Sequence, residues 1–129
     1  MILRTGLDLI EIDRLEKINP AIRRRFIQRV YTQREIADCR DSNASLSGRF
    51  AAKEATSKAL GTGIGKVAWQ DIEIIRGPFG EPVLHLHGRA ALVANALGLT
   101  TWSVSITHAR EMAAAVVVAI SGEVPDGQA

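Results

Sequence analysis

Ser45-Leu46-Ser47-Gly48-Arg49-Phe50-Ala51-Ala52-Lys53-Glu54-Ala55-Thr56-Ser57-Lys58-Ala59-Leu60-Gly61 is the stretch from which a fold can be read. Leu46, Phe50, Ala51, Ala55 and Ala59 recur at helical spacing on inner faces. Serines at its start are N-cap candidates, and Gly61 is the expected stop. The spacing predicts one long helix over Ser45–Leu60, around which the remaining elements must pack.

Working back from this helix, Thr32-Gln33-Arg34-Glu35 fits a capping box opening a short helix toward Cys39. Asn19-Pro20 reads as an N-cap followed by proline at the first helical position, opening a helix over Ala21–Val30. That helix carries Arg23, Arg24, Arg25 and Arg29 among Ile22, Phe26, Ile27 and Val30. Leu3–Ile10 reads as a strand containing Gly6 and Asp8. A carboxylate among Leu7, Leu9 and Ile10 needs a partner.

Working forward, Gly61-Thr62-Gly63-Ile64-Gly65-Lys66 is a glycine loop. Asp71–Arg76 and Val83–His87 form a hairpin around Gly77-Pro78-Phe79-Gly80-Glu81-Pro82. Arg89–Leu97 is an alanine-rich helix ended by Gly98. Trp102–Thr107 and Met112–Ile120 are strands around the turn His108–Glu111. Residues 122–129 are polar and expected to fray. Helices mixed with antiparallel hairpins argue an α+β fold, a small antiparallel sheet against a long central helix and shorter helices. The strands at Asp71–Arg76, Trp102–Thr107 and Met112–Ile120 read as short, so a core shared between subunits is expected. Residues 1–121 are expected to make one domain, followed by the tail 122–129.

Composition bounds the function. With 129 residues, 47% of them hydrophobic and 23% charged, the chain fits one globular domain and excludes wholesale disorder. A net charge of +2 does not announce a nucleic-acid binder. Arginine outnumbers lysine, which favours partners bearing carboxylates or phosphates. The single Cys39 cannot form an internal disulfide, and no Cys/His cluster offers zinc. The first residues lack a signal-peptide pattern, and no apolar run is long enough to span a bilayer. A soluble, cytoplasmic chain is the expectation.

Three constellations can carry chemistry. The glycine loop fails as a Walker loop, because Leu60 leads, Val67 follows Lys66 and a helix comes before it. The dinucleotide fingerprint fails as well, leaving bare amides and Lys66 as a generic phosphate contact beside the simpler reading of a helix cap and turn. On the long helix, Glu54 and Lys58 share a face, with Arg49 and Lys53 beside it. One reading is a solvated face with an i,i+4 salt bridge. The sharper one sets Glu54 opposite Asp8, two hard carboxylates for Mg²⁺ with Lys58 on the phosphates it bridges. His85 and His87 alternate on a strand, a weak metal signal without a third ligand. His108 ends a strand before a turn, a common place for a functional side chain. The arginines of Ala21–Val30 are either a solvated face or a docking face for an acidic protein. Cys39 has no paired base and reads as inert.

Taken together, Gly6-Leu7-Asp8-Leu9-Ile10-Glu11-Ile12-Asp13-Arg14-Leu15, Gly48-Arg49-Phe50-Ala51-Ala52-Lys53-Glu54-Ala55-Thr56-Ser57-Lys58-Ala59, the glycine loop with Asp71-Ile72-Glu73-Ile74, Gly80-Glu81-Pro82 and Ser105-Ile106-Thr107-His108 resemble the motifs of the holo-acyl-carrier-protein synthases, small 4′-phosphopantetheinyl transferases. The likeness runs in order from about Leu3 to Val118. It implies transfer of 4′-phosphopantetheine from coenzyme A to a serine of an apo acyl carrier protein, releasing adenosine 3′,5′-bisphosphate, in support of fatty acid biosynthesis.

The resemblance implies catalytic roles for Asp8, Glu54, Lys58 and His108, with Asp8 and Glu54 as Mg²⁺ ligands. It implies substrate contacts from Arg49, Lys58, Gly65, Lys66, Pro82 and His108, and docking of an acidic carrier protein on Arg14, Arg23, Arg24 and Arg25. It also implies the family's fold assembled as a homotrimer, the site lying between subunits, with no nucleic acid or membrane partner. One departure matters: many relatives place an aspartate or a small hydroxyl residue after the motif histidine, where this chain has Ala109. A carboxylate base at that position is therefore absent, leaving a metal-ordered water, Glu54 or His108 for the proton. The competing classes are a non-enzymatic binder of acidic partners and a metal-dependent phosphodiester hydrolase.

Overall fold

The computed structural model describes residues 1–122 of the chain; the tail expected to fray, apart from Gly122, lies outside the described residues. The long helix, α4, runs Asn43–Leu60, two residues longer at its start than the sequence suggests, because the Ser42 side chain caps the Ser45 amide. It stops where Gly61 turns left-handed (φ 79°) and returns its amide to the Lys58 carbonyl.

Three strands cover one side of α4. Strands β1 (Leu3–Glu11), β5 (Met112–Ser121) and β4 (Leu99–His108) form an antiparallel sheet in the order β1-β5-β4. The β4 and β5 strands are ten residues each, longer than their sequence pattern suggested. Alanine-rich β5 sits in the middle, where Ala113, Ala115, Val117 and Ala119 face inward on alternate positions. A separate hairpin pairs β2 (Ile72–Arg76) with β3 (Pro82–Leu86).

The shorter helices surround this frame: α1 (Asp13–Lys17), α2 (Pro20–Val30), α3 (Gln33–Cys39) and α5 (Gly88–Leu97). The Asn19 cap and the Thr32–Glu35 capping box form as read. Helix α1 has no sequence signal strong enough to call for it, being a single five-residue turn-and-a-half. Two sequence readings need correction at the hairpin. Asp71 belongs to a 3₁₀ turn, Trp69–Asp71, whose Ala68 amide its carboxylate accepts. His87 is not on the strand with His85; it is the residue before α5, and its imidazole pairs with Glu73 at 2.9 Å.

Close approach is what small residues give this fold. A Cβ on Gly6 would sit 1.7 Å from the Ala55 carbonyl oxygen, so β1 lies directly against α4 only because residue 6 is glycine. The main core joins α4, the three-stranded sheet, β2 and α5 through Ala51, Ala55, Ile72, Ile74, Ala90 and Val117. A second cluster, Leu15, Val30, Tyr31, Cys39 and Leu46, joins α1, α2 and α3 to the start of α4. There Phe50 stacks on Trp69 at 4.8 Å and meets Phe26 at 5.6 Å.

Candidate functional site

Two charged clusters hang from α4, and they differ in character. Lys53 points into the core, fully buried, and pairs with buried Glu35 of α3 at 2.8 Å. Its ammonium also donates to the Trp69 carbonyl at 3.1 Å and to the Ile72 carbonyl. The Glu35 oxygens accept the Thr32 and Ile74 amides at 2.9 and 2.8 Å. Burial pushes the Lys53 ammonium down, and Glu35 opposes that shift. Every polar atom here has a partner, so the cluster ties α3, α4 and β2 together. This corrects the reading of Lys53 as part of a solvated helix face. Glu35 was legible only as a capping residue; its second oxygen, which holds the next strand, leaves no local signature.

One turn away on the outer side of α4 lies the second cluster. Lys58 reaches β1, donating to the Leu7 carbonyl at 2.9 Å and pairing with Asp8 at 3.3 Å. The expected i,i+4 bridge from Lys58 to Glu54 gives way to this longer-range pair, which supplies the partner Asp8 required. Glu54 is half-buried, and its carboxyl is pushed up, first by burial and then by the neighbouring Asp8 charge, with Lys58 opposing. Two carboxylates thus repel one another across a single lysine. Such a donor set suits a hard divalent cation, which is content with one or two carboxylates when substrate and water oxygens complete its shell. Among the described residues no group of three or more His, Cys, Asp or Glu is gathered to hold a metal alone.

At the other end of α4 is a cleft of about 150 Å³ lined by Gly48, Arg49, Arg76, Gly80, Pro82 and His108. Three substrate-contact candidates, Arg49, Pro82 and His108, therefore meet in one place. Gly48 makes room for this convergence, since a Cβ there would strike Ile106 at 2.7 Å. Arg49 is largely buried and anchored, its Nε donating to the Ile74 carbonyl at 3.2 Å. His108 is exposed at the end of β4. Gly65 and Lys66 lie exposed beyond the opposite end of the helix. At 1.5 Å per residue, the nine positions from Arg49 to Lys58 separate these groups by about 14 Å along the axis. Within one chain the candidate substrate contacts fall into two sets.

The arginine helix also divides. Arg24 and Arg25 are exposed, and Arg14 of α1 is exposed near them in sequence order. Arg23 is engaged: it donates to Asp41 at 2.7 Å and to Asn43 at 2.7 and 3.2 Å. Those bonds brace the turn before α4, where Arg40 and Asp41 hold left-handed backbone (φ 50° and 61°). Cys39 is buried, and its thiol is pushed up to about 11, chiefly by burial, as expected of an inert cysteine. No helix among the described residues is long and apolar enough to cross a membrane.

Comparison with known proteins agrees with the geometry. Residues 4–117 match the 4′-phosphopantetheinyl transferase superfamily. The chain is 47% identical over 121 residues to the holo-[acyl-carrier-protein] synthase of Herpetosiphon aurantiacus, covering 88% of this chain and 95% of that one. It is 45% identical over 130 residues to the Moorella thermoacetica protein of the same name, covering 97% and 99%. Among solved structures, the Helicobacter pylori holo-[acyl-carrier-protein] synthase in complex with coenzyme A superposes with a TM-score of 0.81 at 35% identity, covering 90% of this chain and 99% of that one.

Proposed function

The chain belongs to the 4′-phosphopantetheinyl transferase superfamily, and from that premise we propose that Asp8, Glu54 and Lys58 form the centre at which the transferred phosphorus is held. The activity is that of its relatives: 4′-phosphopantetheine passes from coenzyme A to a serine hydroxyl of apo acyl carrier protein, and adenosine 3′,5′-bisphosphate leaves. The holo carrier protein so formed serves fatty acid biosynthesis. The observation that carries the site assignment is the meeting of two carboxylates and one lysine from β1 and α4.

Asp8 and Glu54 would hold Mg²⁺. When bound, the ion neutralises the oxygens of the diphosphate, which is the main requirement of phosphoryl-type transfer. Lys58, already aimed at the same point, contacts the pyrophosphate. Arg49, Pro82 and His108 form the cleft for the nucleoside 3′-phosphate, ribose and adenine, with Gly65 and Lys66 completing the phosphate contacts. The serine proton goes to Glu54 directly or through an ordered water. Ala109 offers no carboxylate alternative.

The site is shared between neighbouring copies of the chain. Two observations support this: the substrate contacts lie at opposite ends of α4, and the outer face of the sheet bares Leu3, Leu7, Leu9 and Val116, 39% to 65% exposed. An apolar sheet face of this kind marks an interface, and a closed homotrimer covers it three times over. Residues 1–121 make the transferring unit. Arg14, Arg24 and Arg25 form the docking face for the acidic carrier protein, with Arg23 fixing its shape. The setting is the cytoplasm, where coenzyme A and carrier protein meet.

Incubation with coenzyme A, Mg²⁺ and an apo carrier protein tests the reading by mass spectrometry. The expected result is a carrier heavier by one phosphopantetheine, with adenosine 3′,5′-bisphosphate released. Unchanged carrier with intact coenzyme A would support a binder, and hydrolysed coenzyme A with unlabelled carrier a hydrolase.

A further inference from the structure

Helices α4 and α5 end on glycines whose amides return to the last turn, but α2 does not. Its chain leaves through Tyr31 in extended backbone (φ −107°, ψ 146°), and the Tyr31 amide bonds the Ile27 carbonyl. The carbonyls that follow have no intrahelical donor and must find one elsewhere. Gln70, forty-two residues beyond Gln28 in the 3₁₀ turn Trp69–Asp71, supplies it. Its side-chain amide donates to the Gln28 carbonyl at 2.9 Å and to the Tyr31 carbonyl at 3.0 Å, with the Arg29 carbonyl at 3.5 Å. Gln70 is itself exposed, so core packing does not account for a glutamine at this position.

The same turn is the element against which the α2 backbone lies most closely. The residue before Gln70 fastens the turn to α4. The Trp69 carbonyl accepts the Lys53 ammonium at 3.1 Å, and the Trp69 ring stacks on Phe50, which in turn meets Phe26 of α2. Lys53 is the neighbour of Glu54 in the chain. Gln70, Trp69 and Lys53 thus form a short hydrogen-bonded strut from the last turn of α2 to the helix that carries Glu54. At the other end of α2, Arg23 is bonded to Asp41 and Asn43. The exposed Arg24 and Arg25 lie between these two pins, so both pins set where those arginines stand relative to Glu54.

We propose that Gln70 is a positioning residue for the carrier protein: by capping the end of α2 it holds the arginine face in the arrangement that docks an acidic partner. This rests on the docking reading above and adds a residue that lies outside both the docking face and the transfer centre. Gln70 acts through α2 and not on a reactant. With the cap removed, the last turn of α2 opens, and only the fraction with the turn formed docks the carrier. Once docked, the carrier is held as before, so turnover is kept. None of the residues assigned to coenzyme A lies on α2, and its binding is indifferent to the cap.

Steady-state transfer kinetics, with apo carrier protein and coenzyme A varied in turn, test this at low and high salt. Gln70→Met, equal in length but without a donor, should raise the carrier-protein KM about fivefold, the worth of one neutral hydrogen bond. The coenzyme A KM and kcat should stay at wild-type values. The effect should persist in added salt, because no charge has changed, whereas that of Arg24→Glu should fade. Gln70→Lys, which can still donate to carbonyls at a helix C-terminus, should keep the wild-type carrier KM at high salt. A lowered Tm in Gln70→Met with an unchanged carrier KM would make the cap merely structural and overturn the proposal. An equal rise in both KM values would overturn it as well. If Arg24→Glu raises the carrier KM and Gln70→Met does not, the proposal alone falls. If Arg24→Glu also leaves it unchanged, the docking reading falls and takes the proposal with it.

Discussion

Helix α4 carries two lysines five residues apart, each facing an acidic residue from a distant part of the chain, and the two pairs have opposite fates. Lys53 and Glu35 are fully buried, and each spare proton and lone pair meets a backbone group. Lys58 and Asp8 are partly open, and Glu54 adds a second carboxylate that their single positive charge does not balance. The first cluster is complete and holds structure. The second is one positive charge short. In this fold, incompleteness sets the cluster we assign to the transfer apart from the structural one more sharply than burial or distance does.

The largest effect is expected at Lys53. Lys53→Met leaves Glu35 as a buried, unpaired charge and should destabilise the fold by about 3–5 kcal/mol, measured by urea denaturation. Adding Glu35→Leu to that variant should restore much of the loss, because the pair as a whole is a weaker stabiliser than its halves suggest. An unchanged midpoint in Lys53→Met would mean that the buried pair does not tie the elements together.

Glu54→Gln should do the reverse. Turnover should fall about a hundredfold or more, the scale of losing a main electrostatic contributor, while the fold persists. Its stability has a pH signature with a definite sign. A folded-state carboxyl raised above its unfolded value contributes stability that is fully present below about pH 4 and is lost as pH rises through the folded value. In chelator, Glu54→Gln should therefore have a higher Tm than wild type near neutral pH, and the advantage should vanish by about pH 4. A Tm gap that is constant with pH would remove the repulsion between Asp8 and Glu54 from the account.

The smallest contrast is within the arginine helix. Arg24→Glu should raise the carrier-protein KM several-fold with coenzyme A KM unchanged, an effect that fades with added salt. Arg23→Ala should instead lower stability by about 1 kcal/mol through its lost bonds to the turn at Asp41 and Asn43. Identical effects of the two changes would dissolve the division between docking and bracing.

How much of this was legible beforehand follows the range of the interactions. Local rules worked: the Asn19 and Thr32 caps, the Gly61 and Gly98 stops and the α+β layering are consequences of near neighbours and periodicity. The motifs pointed to Asp8, Glu54 and Lys58, and the structure makes these three neighbours. What stayed hidden depends on contacts across the chain. Lys53 shares its neighbourhood with Glu54 and Lys58, and only the placement of Glu35 eighteen residues earlier sends it inward. Arg23 looks like its neighbours Arg24 and Arg25, yet the helix turns it alone toward Asp41. His87 continued the strand pattern of His85, but Gly88 follows with left-handed backbone (φ 50°) and the chain leaves the sheet.

Asp8 and Glu54 are proposed to share one divalent ion. Mn²⁺ as a paramagnetic stand-in for Mg²⁺, titrated in the presence of coenzyme A and followed by electron paramagnetic resonance, tests it most directly. One ion should bind per site in the wild type, with affinity falling at least tenfold in Asp8→Asn and in Glu54→Gln alike. Wild-type affinity in either variant would contradict the claim.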